Sequence, residues 1–138
     1  GPFAIYGCAI VAWLLWQGAA YWWLKLRAVK SGLPIPAERL RVFARLKWVN
    51  WLLLALAAIL LGMRLGALEA ASEPRPIRFD VIVGSIFFAL ALLEQINYYH
   101  YQLMYDYPAD RRNLARHRKL KRSSLRRAIE RLEEGRSR

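Results

Sequence analysis

Residues 3–24 read FAIYGCAIVAWLLWQGAAYWWL and contain no charged side chain. A helix rises about 1.5 Å per residue, so this stretch is long enough to cross a hydrocarbon core of roughly 30 Å. Its only strongly polar side chain is Gln17. The stretch is too long for a signal peptide and ends in aromatic residues, whereas a cleavage site requires small ones. We therefore expect a first transmembrane helix here.

Two further stretches are apolar and long enough to span a membrane. Residues 48–68 contain Asn50 near one end and Arg64 near the other, from which the Arg64 side chain can reach the headgroups. Residues 79–104 are mostly apolar in their first half and polar in their second half. The chain is 57% hydrophobic and 23% charged, a combination that fits a membrane protein with its charges between apolar segments. The sequence predicts an all-α integral membrane protein with three transmembrane helices.

Prolines mark the starts of two other elements. Pro36 suits the first turn of a helix, because an N–H group has no intrahelical partner there, and we expect one helix from about residue 37 to residue 68. The residue before Pro108 avoids helical geometry. We therefore separate a transmembrane domain, residues 1–107, from a basic cytoplasmic tail, residues 108–138. The tail is expected to be helical to about residue 134. Its main apolar residues are Leu114, Leu125, Ile129 and Leu132, of which the last three lie on one face.

The distribution of basic residues predicts the orientation. Residues 25–47 carry seven Lys and Arg, the chain beyond residue 104 carries twelve, and the end of the second span together with the loop that follows it carries three: Arg64, Arg75 and Arg78. Three spans place the first loop and the tail on the same side, which the positive-inside rule assigns to the cytoplasm. We expect a multi-pass protein of a bacterial inner (plasma) membrane, with its N-terminus outside and its C-terminus inside.

Glu94 is expected to organise a polar cluster within the membrane. An ionised carboxylate at this depth costs about 2.5–3.5 kcal/mol, so it should face protein or water. Residues at i+3, i+4 and i+7 share its helix face, namely Asn97, Tyr98 and Tyr101. The other candidates are polar residues of the same or neighbouring spans: Gln95, His100, Gln17 and Asn50. Two roles fit the pattern: a hydrogen-bonded network that fixes helix order and assembly, and a carboxylate that carries protons or binds a ligand.

Two rows of small residues predict close contacts between helices, because small side chains let backbones approach in lipid. They are spaced by four in the first and second spans: Ala4, Cys8 and Ala12, and Ala58, Gly62 and Gly66.

The basic tail is expected to contact the anionic inner leaflet, at about 1 kcal/mol per basic residue near the surface. The candidates for lipid-headgroup contact are Arg111, Arg112, Arg116, Arg118, Lys119, Lys121, Arg122, Arg126 and Arg127. A cytoplasmic protein is an alternative partner for the tail. Nucleic acid is disfavoured, because no aromatic side chains alternate with the basic ones to stack on bases.

The sequence contains little that points to catalysis. Glu94 and His100 are six residues apart, on different sides of one helix, and no metal site or cofactor is predicted. There is no glycine-rich phosphate loop, and the single cysteine excludes a disulfide framework.

We expect a small non-enzymatic membrane subunit or adaptor that assembles with other membrane-protein subunits or with copies of itself. The alternatives are a proton-coupled transport component that uses Glu94, and a lipid-binding or lipid-modifying helper.

The orientation can be tested by cysteine labelling in intact cells on a Cys8→Ser background. An impermeant thiol reagent should label a cysteine that replaces Ser72 and should not label one that replaces Gly32 or Arg138, because the charge distribution places only Ser72 outside. Labelling at position 32 but not at position 72 would show the opposite orientation.

Overall fold

The computed structural model describes residues 1–71, 75–101 and 122–136. These residues form four helices and no named strand: α1, Pro2–Ser31; α2, Ala37–Ala70; α3, Arg75–Tyr99; and α4, Ser124–Arg136. The first three are each long and apolar enough to cross a membrane. The predicted all-α fold with three candidate membrane spans is confirmed.

Gly32 and Pro36 shape the turn between α1 and α2, because each has distinctive backbone properties. Gly32 adopts a positive φ of 68° directly after α1, a conformation that glycine accepts without steric cost and that commonly closes a helix. Pro36 precedes α2, and its carbonyl oxygen accepts hydrogen bonds from the amides of Arg39 and Leu40 at 3.0 and 3.3 Å. The helix then runs without interruption to Ala70, two residues beyond the predicted end.

The third helix ends before the predicted end of the third span. The predicted span runs to residue 104, whereas α3 ends at Tyr99. The amides of His100 and Tyr101 both donate to the carbonyl oxygen of Ile96, at 2.9 and 2.8 Å, which closes the helix. Residues 102–104 lie outside the described residues.

The predicted tail helix is not continuous. Arg122 pairs with Tyr101 in an isolated antiparallel bridge, and Ser123 precedes the first residue of α4. The hydroxyl oxygen of Ser123 accepts a hydrogen bond from the amide of Arg126 at 3.2 Å, as a helix-capping side chain does, so the helix starts here. The part of the predicted tail helix over residues 108–121 lies outside the described residues.

The chain divides into two compact units, each assembled from two segments. The first unit comprises Gly1–Ala19 and Trp48–Glu94, and the second comprises Ala20–Lys47 and Gln95–Arg138. The core of the first unit consists of small and aliphatic side chains: Ile10, Leu14, Leu54, Ala57 and Ala91. The sequence-based boundary at residue 107 stays a prediction.

In the first unit, α1 and α3 approach closely at two glycines. A Cβ atom on Gly84 would overlap the ring of Phe3, and one on Gly7 would lie 2.8 Å from the Cβ of Phe87. The ring of Phe3 and the Cβ of Phe87 therefore occupy space that any larger residue at positions 84 and 7 would need. This is the kind of contact that small residues permit between helices in lipid.

A buried carboxylate on α3 joins three helices of the first unit. Asp80 is 1% exposed and accepts hydrogen bonds from the amides of Phe3 and Ala4, at 3.3 and 2.8 Å. These amides belong to the first turn of α1, where N–H groups lack intrahelical partners and the helix dipole is positive. Arg64 of α2 donates its Nε–H to the same carboxylate at 3.0 Å. Arg64 was expected to extend to the headgroups, and instead it forms this ion pair.

The second unit has its own core, to which α4 contributes. Leu125 is buried together with Tyr21, Leu40, Phe43 and Tyr99. The half-buried side chains packed against this core include three more from α4: Ala128, Ile129 and Leu132. The apolar face of the predicted tail helix thus packs against the protein itself.

Polar contacts fix the start of α4. The Ser124 hydroxyl is 2.9 Å from both the Tyr21 hydroxyl and the Lys25 ammonium, which donates to it. The Ser123 hydroxyl donates to the carbonyl oxygen of Tyr98 at 2.6 Å. These contacts attach the first turn of α4 to its own unit from two directions.

Replacing Asp80 by asparagine tests its structural role. The variant keeps one acceptor oxygen but loses the charge that pairs with Arg64, so we expect the free energy of unfolding to fall by about 1–3 kcal/mol. Unfolding can be followed by circular dichroism of the purified protein in detergent.

Glu69→Gln is the matched control for this measurement, because Glu69 is an exposed carboxylate on α2. We expect it to change the stability by no more than about 0.5 kcal/mol. Equal stability of the two variants would contradict a structural role for Asp80.

Candidate functional site

Two residues of the predicted intramembrane cluster, Gln17 and Asn50, form a reciprocal amide pair between α1 and α2. Gln17 donates its amide N–H to Asn50 Oδ1 at 3.0 Å, and Asn50 donates to Gln17 Oε1 at 2.9 Å. Both side chains are buried, at 2% and 0% exposure. Each amide therefore satisfies the other within the apolar interior of the first unit, as expected for polar contacts that join membrane helices.

A tryptophan completes this pair, and the sequence analysis did not select it. The Trp13 indole N–H donates to Asn50 Oδ1 at 3.1 Å, and its ring stacks on Trp16 with centroids 5.4 Å apart. Trp13 lies four residues before Gln17, so the two side chains share one face of α1. That spacing is the signal by which the sequence could have revealed Trp13.

The polar residues at the end of α3 belong to the second unit. Gln95 is fully buried and donates its amide N–H to the carbonyl oxygen of Lys47 at 3.3 Å. Asn97, Tyr98 and His100 each have interaction partners as well. Tyr101 is exposed, and the guanidinium of Arg126 lies over its ring, 5.5 Å from the centroid. These contacts join the end of α3 to α2 and α4.

Glu94 does not organise these residues. Its side chain is half-buried in α3, and no hydrogen bond or ion pair joins it to another residue of the described chain. The single cluster expected around Glu94 is therefore not observed, because Gln17 and Asn50 satisfy each other and Gln95 bonds to a backbone carbonyl. The role of Glu94 stays a prediction.

The two rows of small residues differ in how many of their members are buried. Of the first row, Ala4 is buried whereas Cys8 and Ala12 are exposed. All members of the second row are exposed, and a Cβ atom on Gly62 or Gly66 would have nothing within 4 Å. The close approach inside the chain instead uses Gly7 and Gly84, which the sequence analysis did not select. Their spacing from other small residues gives no signal, since the contact depends on Phe3 and Phe87.

The second unit carries a basic groove, which we define by Arg41, Ala44, Arg45, Ile129, Arg131, Leu132, Glu133 and Gly135. Its cavity has a volume of about 560 Å³ and lies between α2 and α4. Arg41, Arg45 and Arg131 are exposed, and none forms an ion pair with another described residue. The groove thus combines guanidinium groups with an apolar floor.

The predicted headgroup residues of the tail are only partly described. Arg122 and Arg126 both pair with Glu130, at 3.1 and 2.8 Å. The hydrogen bond from Arg126 holds the pKa of the Glu130 carboxyl below its usual range. Arg127 is exposed. The remaining candidates lie outside the described residues: Arg111, Arg112, Arg116, Arg118, Lys119 and Lys121.

The three candidate spans make the chain a multi-pass membrane protein. No family model, curated protein or solved structure matches it. Within the described residues, no three His, Cys, Asp or Glu side chains are grouped as metal ligands.

The amide pair predicts a non-additive loss of stability. Asn50→Leu leaves the amide of Gln17 and the indole N–H of Trp13 without their acceptor, so we expect it to cost about 1–3 kcal/mol. Adding Gln17→Leu to this variant should restore part of the loss, because it removes one unsatisfied polar group. A thermal unfolding series on the two single variants and the double variant measures this coupling, and strictly additive effects would contradict it.

Proposed function

We propose that this chain is a small non-enzymatic subunit or adaptor of a membrane assembly. It packs against a transmembrane helix of another subunit, either a different protein or a second copy, through the exposed face of α2. The observation that carries this proposal is the position of the small residues on α2. They occupy the middle of an apolar face that the described chain leaves exposed.

The helical geometry shows how this face is built. At about 100° per residue, Ala55 and Gly66 lie within about 40° of Gly62, and all three are exposed. Large exposed side chains flank them: Leu52, Ile59, Met63 and Leu65. The face is therefore a shallow depression along the helix with bulky walls. Another helix can approach its backbone closely there, and in lipid such van der Waals packing drives association.

The proposed setting is a bacterial inner membrane, with the basic side of the protein toward the cytoplasm. The positive-inside rule supports this orientation through the excess of Lys and Arg in the first loop and the tail. An anionic leaflet on that side would attract the same basic residues. We therefore include contact with anionic lipid in the proposed function.

The assembly can be tested by filling the depression on α2. Gly62→Leu places a bulky side chain where the proposed partner helix would approach, so we expect most of the assembled protein to dissociate to single chains. Native mass spectrometry of the protein extracted in a mild detergent measures the mass and composition of the assembly.

Ala89→Leu is the matched control, because it adds a similar side chain at an exposed position of α3. We expect it to leave the assembly intact. The proposal is wrong if Gly62→Leu assembles as the original sequence does, or if the original chain is monomeric at every concentration tested.

A second role is favoured by Glu94, a half-buried carboxylate in a candidate span without a partner in the described chain. Such residues in membrane proteins commonly face a partner or a proton pathway. The two roles are separable, because glutamine keeps the hydrogen-bonding capacity of Glu94 but cannot ionise.

If Glu94 contacts a partner subunit, Glu94→Gln should assemble nearly normally, whereas Glu94→Leu should assemble less well. The expected difference is small, since interhelical hydrogen bonds in membranes average about 0.6 kcal/mol. If Glu94 carries protons, both variants should abolish proton flux into liposomes and leave the assembly intact. Native mass spectrometry and a pH-sensitive dye inside the liposomes provide the two measurements.

A further inference from the structure

We infer that the basic groove of the second unit binds the headgroup of an anionic phospholipid, with the phosphate between the guanidinium groups of Arg41, Arg45 and Arg131. This inference rests on the proposed contact with an anionic leaflet and narrows it to one site. None of the three arginines is among the residues that the sequence analysis selected for headgroup contact.

The charges of the groove favour the binding of an anion. Arg41 and Arg45 are four residues apart on α2, so their side chains are neighbours and repel each other. Arg131 of α4 adds a third positive charge, and Glu133 is the one carboxylate among the lining residues. No ion pair within the described chain neutralises any of the three arginines. A phosphate group would relieve this repulsion.

Guanidinium groups also suit phosphate by geometry. Each presents parallel N–H donors that match two oxygens of one phosphate. The Nε–H of Arg131 donates to the carbonyl oxygen of Arg127 at 3.2 Å, which holds its stem on α4 and leaves the terminal nitrogens for a ligand.

The floor of the groove favours an amphiphile over a free ion. Ala44, Ile129 and Leu132 are half-buried apolar residues that line the same cavity as the arginines. The cavity volume of about 560 Å³ accommodates more than a phosphate ion. A glycerol backbone and the first carbons of an acyl chain can contact this floor while the phosphate meets the guanidinium groups.

The groove is preformed, because α4 is attached to its unit independently of any ligand. Leu125 is buried in the core, and the Ser124 hydroxyl is hydrogen-bonded at 2.9 Å to Lys25. The backbone that carries Arg131 is therefore held in place before a ligand binds, so binding need not order this helix.

The position of two of the arginines along α2 fits a lipid headgroup. Arg45 and Arg41 precede Trp48, the first residue of the predicted second span, by three and seven residues, or about 5 and 10 Å of helix. The headgroup layer adds roughly 5–7 Å to each side of the hydrocarbon core. Arg45 thus lies at headgroup depth, and Arg41 lies just beyond it.

The test counts lipids bound to the full chain by native mass spectrometry, with phosphatidylglycerol as the anionic lipid and phosphatidylcholine as the zwitterionic one. Arg41→Gln/Arg45→Gln and Arg131→Gln remove charge from the groove. Arg39→Gln is the matched control, because Arg39 is an exposed arginine on α2 outside the groove. A separate measurement adds inorganic phosphate in millimolar excess and asks whether it displaces the lipid.

We expect the original chain to prefer phosphatidylglycerol. The double variant should lower this affinity about thirtyfold and Arg131→Gln about fivefold, whereas Arg39→Gln should change it less than about twofold. Circular dichroism of each variant shows that α4 is retained. Inorganic phosphate should not displace the lipid, because it makes no contact with the apolar floor.

Equal losses for Arg39→Gln and Arg131→Gln would overturn the inference, since they would show diffuse attraction to the whole basic surface. Displacement of the lipid by inorganic phosphate would also overturn it and would identify a simple anion site. If the original chain shows no preference for phosphatidylglycerol, the proposed leaflet contact itself is wrong. The proposed assembly through α2 is unaffected by any of these outcomes.

Discussion

The first unit of this protein depends on the Asp80 carboxylate. A charge buried to this degree is tolerated only when it is paired and hydrogen-bonded, and Asp80 satisfies both conditions by drawing on α1 and α2 at once. The amides at the start of α1 would otherwise have no acceptor, and Arg64 would be a charge within an apolar helix. One side chain therefore satisfies groups on both neighbouring helices and fixes where they stand relative to α3.

The Gln17–Asn50 pair, a second polar contact of the first unit, also satisfies buried polar groups of two helices. The amides of Gln17 and Asn50 donate to each other, so neither remains unsatisfied in an apolar environment. Between these polar contacts, the packing is apolar and close, with Phe3 filling the space beside Gly84. Because van der Waals contact and specific hydrogen bonds are the main forces between helices in lipid, these features account for the arrangement of the unit.

The second unit is built differently. Its core combines aromatic rings with the apolar face of α4, and it includes an edge-to-face contact between Tyr21 and Phe43. Burying the apolar face of α4 leaves the polar face with its basic residues outward. Arg122 and Arg126 are paired with Glu130, whereas Arg41, Arg45 and Arg131 have no acidic partner in the described chain. Their free charge is what makes the basic groove the strongest candidate for an anionic ligand, whereas the exposed face of α2 suits an apolar helix.

The sequence by itself determined the number, type and approximate bounds of the three long helices. Uncharged stretches of transmembrane length, Gly32 and Pro36 carry that information locally, because helix formation and helix ends depend on neighbouring residues. Only the tertiary structure decided which residues meet. Neither Asp80 nor Gly84 was singled out from the sequence, and Glu94 was expected to organise the polar cluster. The structure instead buries Asp80, pairs Gln17 with Asn50 and uses Gly84 for close packing. Spacing along one helix defines a face, but the rotation of that helix against its neighbours decides whether the face is buried, and that rotation depends on contacts between residues far apart in the chain.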